Sequence, residues 1–203
     1  MSLDVISIEP KNGDPPQHLL IMLHGWGANA EDLTPLTEIL SLPHYQFLLP
    51  NAPFAHPQVP GGLAWYALET GNYEGLAESR QLLKNWLLSL EEKTGIPLSR
   101  TILSGFSQGG AMSLDVGVNL PLAGICSLSG YLQFQPEPLA SPIPPILIIH
   151  GKQDTIVPLN MAHQARDKLT SIDAPVEYHE FNMGHDIPVE ILPLWQSFIL
   201  ANH

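Results

Sequence analysis

Ser107, Asp154 and His185 are the residues of this chain whose types, order and surroundings suit covalent chemistry. Ser107 is the centre of a Gly-x-Ser-x-Gly turn within residues 103–110, Leu-Ser-Gly-Phe-Ser-Gln-Gly-Gly. A serine hydroxyl attacks poorly until a base removes its proton. An imidazole titrates near neutrality, so it can take that proton and later hand it to a leaving group. A carboxylate behind the imidazole fixes its tautomer and stabilises the imidazolium. The chemistry these three groups would perform together is nucleophilic acyl transfer to water.

Nine histidines are present, and position selects among them. His185 follows Gly184 on a loop after the last strand-like segment, and only His203, the terminal residue, lies beyond it. His24, His150 and His179 lie in or beside strand-like runs, where hydrogen-bonded structural histidines are the common outcome. His18, His44, His56 and His163 read as surface or loop residues. Among acids, Asp186 adjoins His185, but neighbouring side chains point differently, so it would orient the ring poorly. Asp154 stands one short turn beyond the strand ending at His150, the position the chemistry favours. No histidine pair has both ligand spacing and a supporting carboxylate, so a metal site is not expected.

The tetrahedral intermediate of acyl transfer needs N–H donors for its oxyanion. The backbone N–H of Gln108, the residue after the nucleophile, is one candidate, aided by the start of the following helix. The other is the N–H of Trp26, in His24-Gly-Trp-Gly27, where the flanking glycines let the backbone approach a substrate. The Trp26 indole, Leu63, Trp65 and Tyr66 are candidates for the acyl-site wall. Packing in the core is the competing reading for each aromatic.

The elements needed to hold these residues are legible as apolar runs. Strands are expected at Val5–Ile8, Leu19–Leu23, Gln46–Leu49, from Thr101, at Ile125–Leu128, Ile146–Ile149 and Val176–Phe181. Helical spacing begins near Asp32, runs from Leu76 to Leu90, restarts at Ala111, and returns at Met161–Leu169 and Pro188–Leu200. Strands alternating with helices predict a mostly parallel sheet covered on both faces. In such a sheet ligands bind at the carboxyl ends of strands. The segments carrying Trp26, Ser107, Asp154 and His185 all begin there. Proline-rich loops at Pro50–Gly62 and Phe134–Pro145 stand out, and no internal repeat is visible.

Composition narrows the class further. A chain of 203 residues is expected to form a single domain, 1–203, with a sizeable core. Charged residues are only 14 %, and the net charge is −12 with 8 Lys and Arg, which argues against phosphate-backbone binding. Nucleic acid is therefore not an expected partner. The one cysteine, Cys126, lies in a strand-like run and reads as a buried hydrophobe, consistent with a reducing compartment. The first residues carry neither a basic region nor an apolar signal core, and no run approaches the ~20 apolar residues of a membrane span. A cytoplasmic location without membrane insertion is the expectation, as monomer or homodimer.

Several motifs in order resemble the phospholipase/carboxylesterase family of small α/β-hydrolases, which includes acyl-protein thioesterases and bacterial carboxylesterases. They are Leu23-His-Gly-Trp-Gly-Ala28, Ala64-Trp-Tyr66, Gly105-Phe-Ser-Gln-Gly-Gly-Ala111, His150-Gly151 through Asp154-Thr-Ile-Val-Pro158, and Met183-Gly-His185. The resemblance implies a compact α/β-hydrolase without a large cap domain and without a cofactor. It puts the triad on Ser107, Asp154 and His185 and the oxyanion donors on Trp26 and Gln108. Members commonly carry Arg and Asp where this chain has Leu63 and Ala67. The expected activity is therefore a serine carboxylesterase acting on short to medium acyl esters as small-molecule substrates. A protein or lysophospholipid deacylase (thioesterase) and a non-catalytic binding protein on the same fold are the alternatives. The serine at the elbow opposes a cysteine-dependent lactone hydrolase.

Overall fold

A computed structural model describes residues 3–133 and 142–202. The central sheet is built from β1 (Val5–Ile8), β2 (His18–Leu23), β3 (Tyr45–Pro50), β6 (Thr101–Phe106), β7 (Gly124–Leu128), β8 (Ile146–Gly151) and β9 (Val176–Phe181). Their order across the sheet is β1-β3-β2-β6-β7-β8-β9, and every pairing except β1–β3 is parallel. β2, β7 and β8 are buried along their whole length, which is why their sequences are unbroken apolar runs. The strands expected from sequence all form, each within two residues of the expected bounds apart from β6, which continues to Phe106.

Side-chain alternation along each strand feeds two separate cores. Leu19, Ile21, Leu23, Leu103, Ile146 and Ile148 face one side, where α2 (Leu76–Leu88), α4 (Gln108–Gly117) and α5 (Leu159–Thr170) supply Leu83, Leu87, Met112 and Leu169. Leu20, Met22, Ile102, Leu147 and Ile149 face the other, covered by α6 (Leu192–Ala201) through Trp195, Phe198 and Ile199 and by the α1 (Thr34–Ile39) region through Leu33 and Leu40. Cys126 sits fully buried in the second core, where burial pushes its thiol well above the ordinary value. The expected helix from Leu76 splits: α2 stops at Leu88, and α3 (Leu90–Thr94) follows before Gly95 adopts a left-handed conformation. α2 is tied to α4 by the Arg80–Asp115 ion pair, bidentate and half-buried.

Two features were not anticipated. The proline-rich loop after β3 folds into a small antiparallel hairpin of β4 (Phe54–Ala55) and β5 (Leu63–Ala64). At the far edge, β9 has a hydrogen-bonded neighbour on one side only and is partly exposed along its length. Of the second proline-rich loop, residues 134–141 lie outside the described residues, as does His203. No helix among the described residues is long and apolar enough to cross a membrane.

Candidate active site

The turn after β6 places Ser107 at φ 56°, ψ −118°, a left-handed conformation that a non-glycine residue adopts only under strain. The strain follows from forcing a strand to enter a helix in one residue, so that the hydroxyl stands clear of the sheet. Two glycines make the turn sterically feasible. A Cβ on Gly105 would lie 2.2 Å from the Gly109 carbonyl oxygen, and one on Gly109 would lie 2.2 Å from that of Leu23. The second contact presses the end of β2, and hence the His24–Ala28 loop, against the elbow helix.

Three loops from three parallel strands meet here. The Ser107 Oγ lies 2.9 Å from His185 Nε2, and His185 Nδ1 lies 2.7 Å from Asp154 Oδ2. The other Asp154 oxygen accepts the backbone N–H groups of Ile156 and Val157, at 2.9 and 2.8 Å. Burial pushes the Asp154 carboxyl upward, but the His185 hydrogen bond and those two N–H donors outweigh it and hold the group below the usual carboxylate range. Asp154 is buried and Asp186 is exposed. The His185 ring also packs against Phe106, with ring centroids 4.8 Å apart.

Beside Ser107 the loop after β2 comes close enough that a Cβ on Gly25 would sit 3.3 Å from the Ser107 Cβ. Neither the Trp26 nor the Gln108 backbone N–H donates to any described residue. Gln108 opens the elbow helix, whose first N–H groups have no intrahelical acceptor, so both donors are available to an acceptor beside Ser107.

The family model for phospholipases and carboxylesterases matches residues 4–203, nearly the whole of this chain. The chain belongs to that family. The phospholipase/carboxylesterase fold is thus the α/β-hydrolase architecture, and the protein is a hydrolase of the carboxylesterase type. Acyl-protein thioesterase 1 of Mycosarcoma maydis is 30% identical, over 95% of this chain and 94% of its own length. The solved structure of the esterase PE8 superposes over the full length of both chains with a TM-score of 0.90 at 30% identity. The Bacillus cereus carboxylesterase shares the fold, with a TM-score of 0.85 at 19% identity over 99% of this chain and 95% of that one.

In this family member, the expected acyl-site wall needs correction. Trp65 and Tyr66 are fully buried in the core. The Trp65 indole N–H donates to the His24 carbonyl at 3.0 Å, and the Tyr66 hydroxyl meets that of Tyr131 at 2.6 Å. Leu63 packs against the same core. Alternation about Ala64 turns Leu63 and Trp65 away from the 260 Å³ cavity that Ala64 lines, and Tyr66, beyond the end of β5, is drawn into the core by its hydroxyl contact with Tyr131. Trp26 does line that cavity, with Phe54, Ala55, Ala67, Glu69 and Glu74.

Sequence reasoning also missed the polar scaffold beneath the site. The Gln108 side chain accepts the Trp65 N–H at 2.9 Å and donates to the Tyr66 carbonyl at 2.8 Å, while Ser79 Oγ donates to the Trp65 carbonyl. His24 accepts the Ala52 N–H at Nε2 and donates from Nδ1 to the Gly25 carbonyl, so it is a buried neutral clasp across the loop. Apart from the adjacent Gly25, these partners are 14 to 43 residues apart in sequence, and no local pattern announces them. His18 and His56, read as surface or loop residues, are both buried. His179 pairs with Glu177 and His163 with Glu180, both partly exposed.

The buried clasps have a pH signature. Burial lowers the pKa of His24 and of His150, opposed by the Gly25 carbonyl in the first and the Val157 carbonyl in the second. Below the ordinary imidazole value near 6.5 the unfolded chain therefore binds protons that the folded chain refuses. Stability contributed by these groups is level above that pH and falls as pH drops beneath it. The thermal midpoint should decline from about pH 6.5 toward pH 5, and His24→Gln should shallow the slope. A midpoint that is flat across that window would contradict the neutral-clasp assignment.

Proposed function

We propose that the protein is a serine esterase that cleaves carboxylic esters of short to medium acyl chains through an acyl-enzyme. Ser107 Oγ attacks the acyl carbon while its proton passes to His185 Nε2, and the carbonyl oxygen becomes an oxyanion held by the Trp26 and Gln108 N–H groups. Collapse breaks the ester bond, and the departing alkoxide takes the proton from His185. A water molecule then repeats the sequence on the acyl-enzyme, with His185 again receiving and returning the proton, and the carboxylic acid leaves. The observation that carries this reading is the unbroken contact chain from Asp154 through His185 to Ser107, with spacings of 2.7 and 2.9 Å, beside two open N–H donors. The buried thiol of Cys126 fits action in the reducing cytoplasm. A thioesterase reading is favoured by the curated relative's name and uses the same steps with a thiolate leaving group.

A fluorophosphonate should label Ser107, identified by peptide mapping, and a graded series of p-nitrophenyl esters beside an acyl-thioester should separate the two substrate readings. Each buried CH₂ is worth about 0.8 kcal/mol, close to fourfold in kcat/KM. Specificity should climb over the first carbons and drop once the cavity beside Trp26 is filled. Trp26→Ala should move the optimum to longer chains, because it enlarges the cavity. An unchanged chain-length profile in that variant would remove the indole from the acyl site.

A further inference from the structure

His56, in the loop joining β4 and β5, has an environment that the mechanism above does not use. Its Nδ1 accepts the backbone N–H groups of Gln58 and Val59, at 3.1 and 3.0 Å, which leaves the ring hydrogen on Nε2. That Nε2 is buried and has no hydrogen-bond partner among the described residues, and the same holds for Trp26 Nε1. The two rings meet edge to face, with centroids 4.0 Å apart and planes at 62°. An aromatic face is the acceptor available to an N–H in such a contact.

The same imidazole lies against the backbone of the Trp26 loop. A Cβ on Gly27 would fall 3.3 Å from His56 Cδ2. The hairpin behind it grips the loop through Gly27 N–H to the Leu63 carbonyl, at 2.8 Å, and Leu63 N–H to the Ala28 carbonyl, at 2.9 Å. The His56 N–H in turn donates to the Gly62 carbonyl at 2.8 Å. Hairpin, imidazole and tryptophan thus form one unit, ending beside Ser107.

We propose that His56 is a positioning residue: its imidazole, oriented by the Gln58 and Val59 N–H groups, holds the Trp26 indole and so aims the Trp26 backbone N–H at the oxyanion. The inference rests on the reading of that N–H as an oxyanion donor. Side-chain rotamer and backbone dihedrals are coupled, so an indole freed from its support frees the peptide that carries the N–H.

Two variants of the full chain separate aiming from loop stability. His56→Asn keeps an oxygen able to accept the N–H groups two and three residues on, as asparagine does in turns, but removes the ring from Trp26. His56→Phe keeps a ring on Trp26 and removes the acceptor. Loss of a whole oxyanion donor costs about 10²–10³ in kcat, so a misaimed one should cost about tenfold. His56→Asn should therefore melt near the wild type, lose about tenfold in kcat at little-changed KM, and bind a trifluoromethyl ketone about tenfold more weakly. His56→Phe should melt lower yet hold kcat within about threefold at temperatures where it is folded.

The proposal fails if His56→Asn keeps kcat and ketone affinity within twofold of wild type, or if both variants lose activity only in step with stability. It fails together with the functional reading if the wild-type chain is neither labelled at Ser107 nor active on any ester or thioester. A labelled, active wild type confines a failure to His56 itself.

Discussion

Ser107→Ala should yield a folded protein with esterase turnover lower by about 10⁶, leaving the ~10³–10⁴ over water that binding and the oxyanion donors supply in serine proteases. The methyl group cannot form the acyl-enzyme, and His185 loses the proton it is placed to accept. The backbone adds a second, independent expectation. At φ 56° and ψ −118° the nucleophile occupies a region suited to glycine, and such strain costs on the order of 1–3 kcal/mol. Ser107→Gly should be as inactive as Ser107→Ala but more stable than the wild type by about 1 kcal/mol in urea denaturation. Near-normal turnover in purified Ser107→Ala would overturn the elbow assignment. A Ser107→Gly variant less stable than wild type would mean the turn is not where strain is stored.

Asp154→Asn should be nearly as damaging although it changes a single atom. The two N–H groups of Ile156 and Val157 point at Oδ1, so an amide placed there keeps its oxygen toward them and turns its NH₂ toward His185. An NH₂ donor requires His185 Nδ1 to accept, which moves the ring hydrogen to Nε2, the atom that faces Ser107. The imidazole then presents a hydrogen where it must present a lone pair. The equivalent change in a serine protease lowers kcat by about 10⁴ through the wrong tautomer, and a loss of about 10³–10⁴ is expected here. Fluorophosphonate labelling should slow by a comparable factor with little change in thermal midpoint. Labelling at the wild-type rate would show that Asp154 does not set the tautomer.

How much of this was legible in the sequence depended on how local its cause was. The unbroken apolar runs of β2, β7 and β8 record burial on both faces, so they announced a parallel sheet directly. Ser107, Asp154 and His185 were legible because each follows a strand at its carboxyl end, and one sheet brings those ends together. β4 and β5 escaped notice because strands of two residues carry no periodicity. Trp65 and Tyr66, read as candidates for the acyl-site wall, lie fully buried in the core, because residue type alone does not separate an aromatic that packs from one that lines a cavity. His56 looked like loop because its burial depends on Trp26, thirty positions earlier in the chain.

The strand order has a consequence for how the enzyme would fail. β6, which delivers Ser107, is paired on both sides, whereas β9, which leads to His185, is an edge strand held on one side. Opening free energies are not uniform across a fold, and a partly exposed edge belongs to the low end. The reactive arrangement is therefore coupled to one of the weaker cooperative units of the molecule, while its nucleophile belongs to one of the stronger. A fluctuation that frees β9 withdraws the base and leaves the serine seated in an intact sheet, chemically idle. Inactivation of this kind would be reversible and would precede global unfolding, since re-docking one strand restores the proton acceptor without refolding the core.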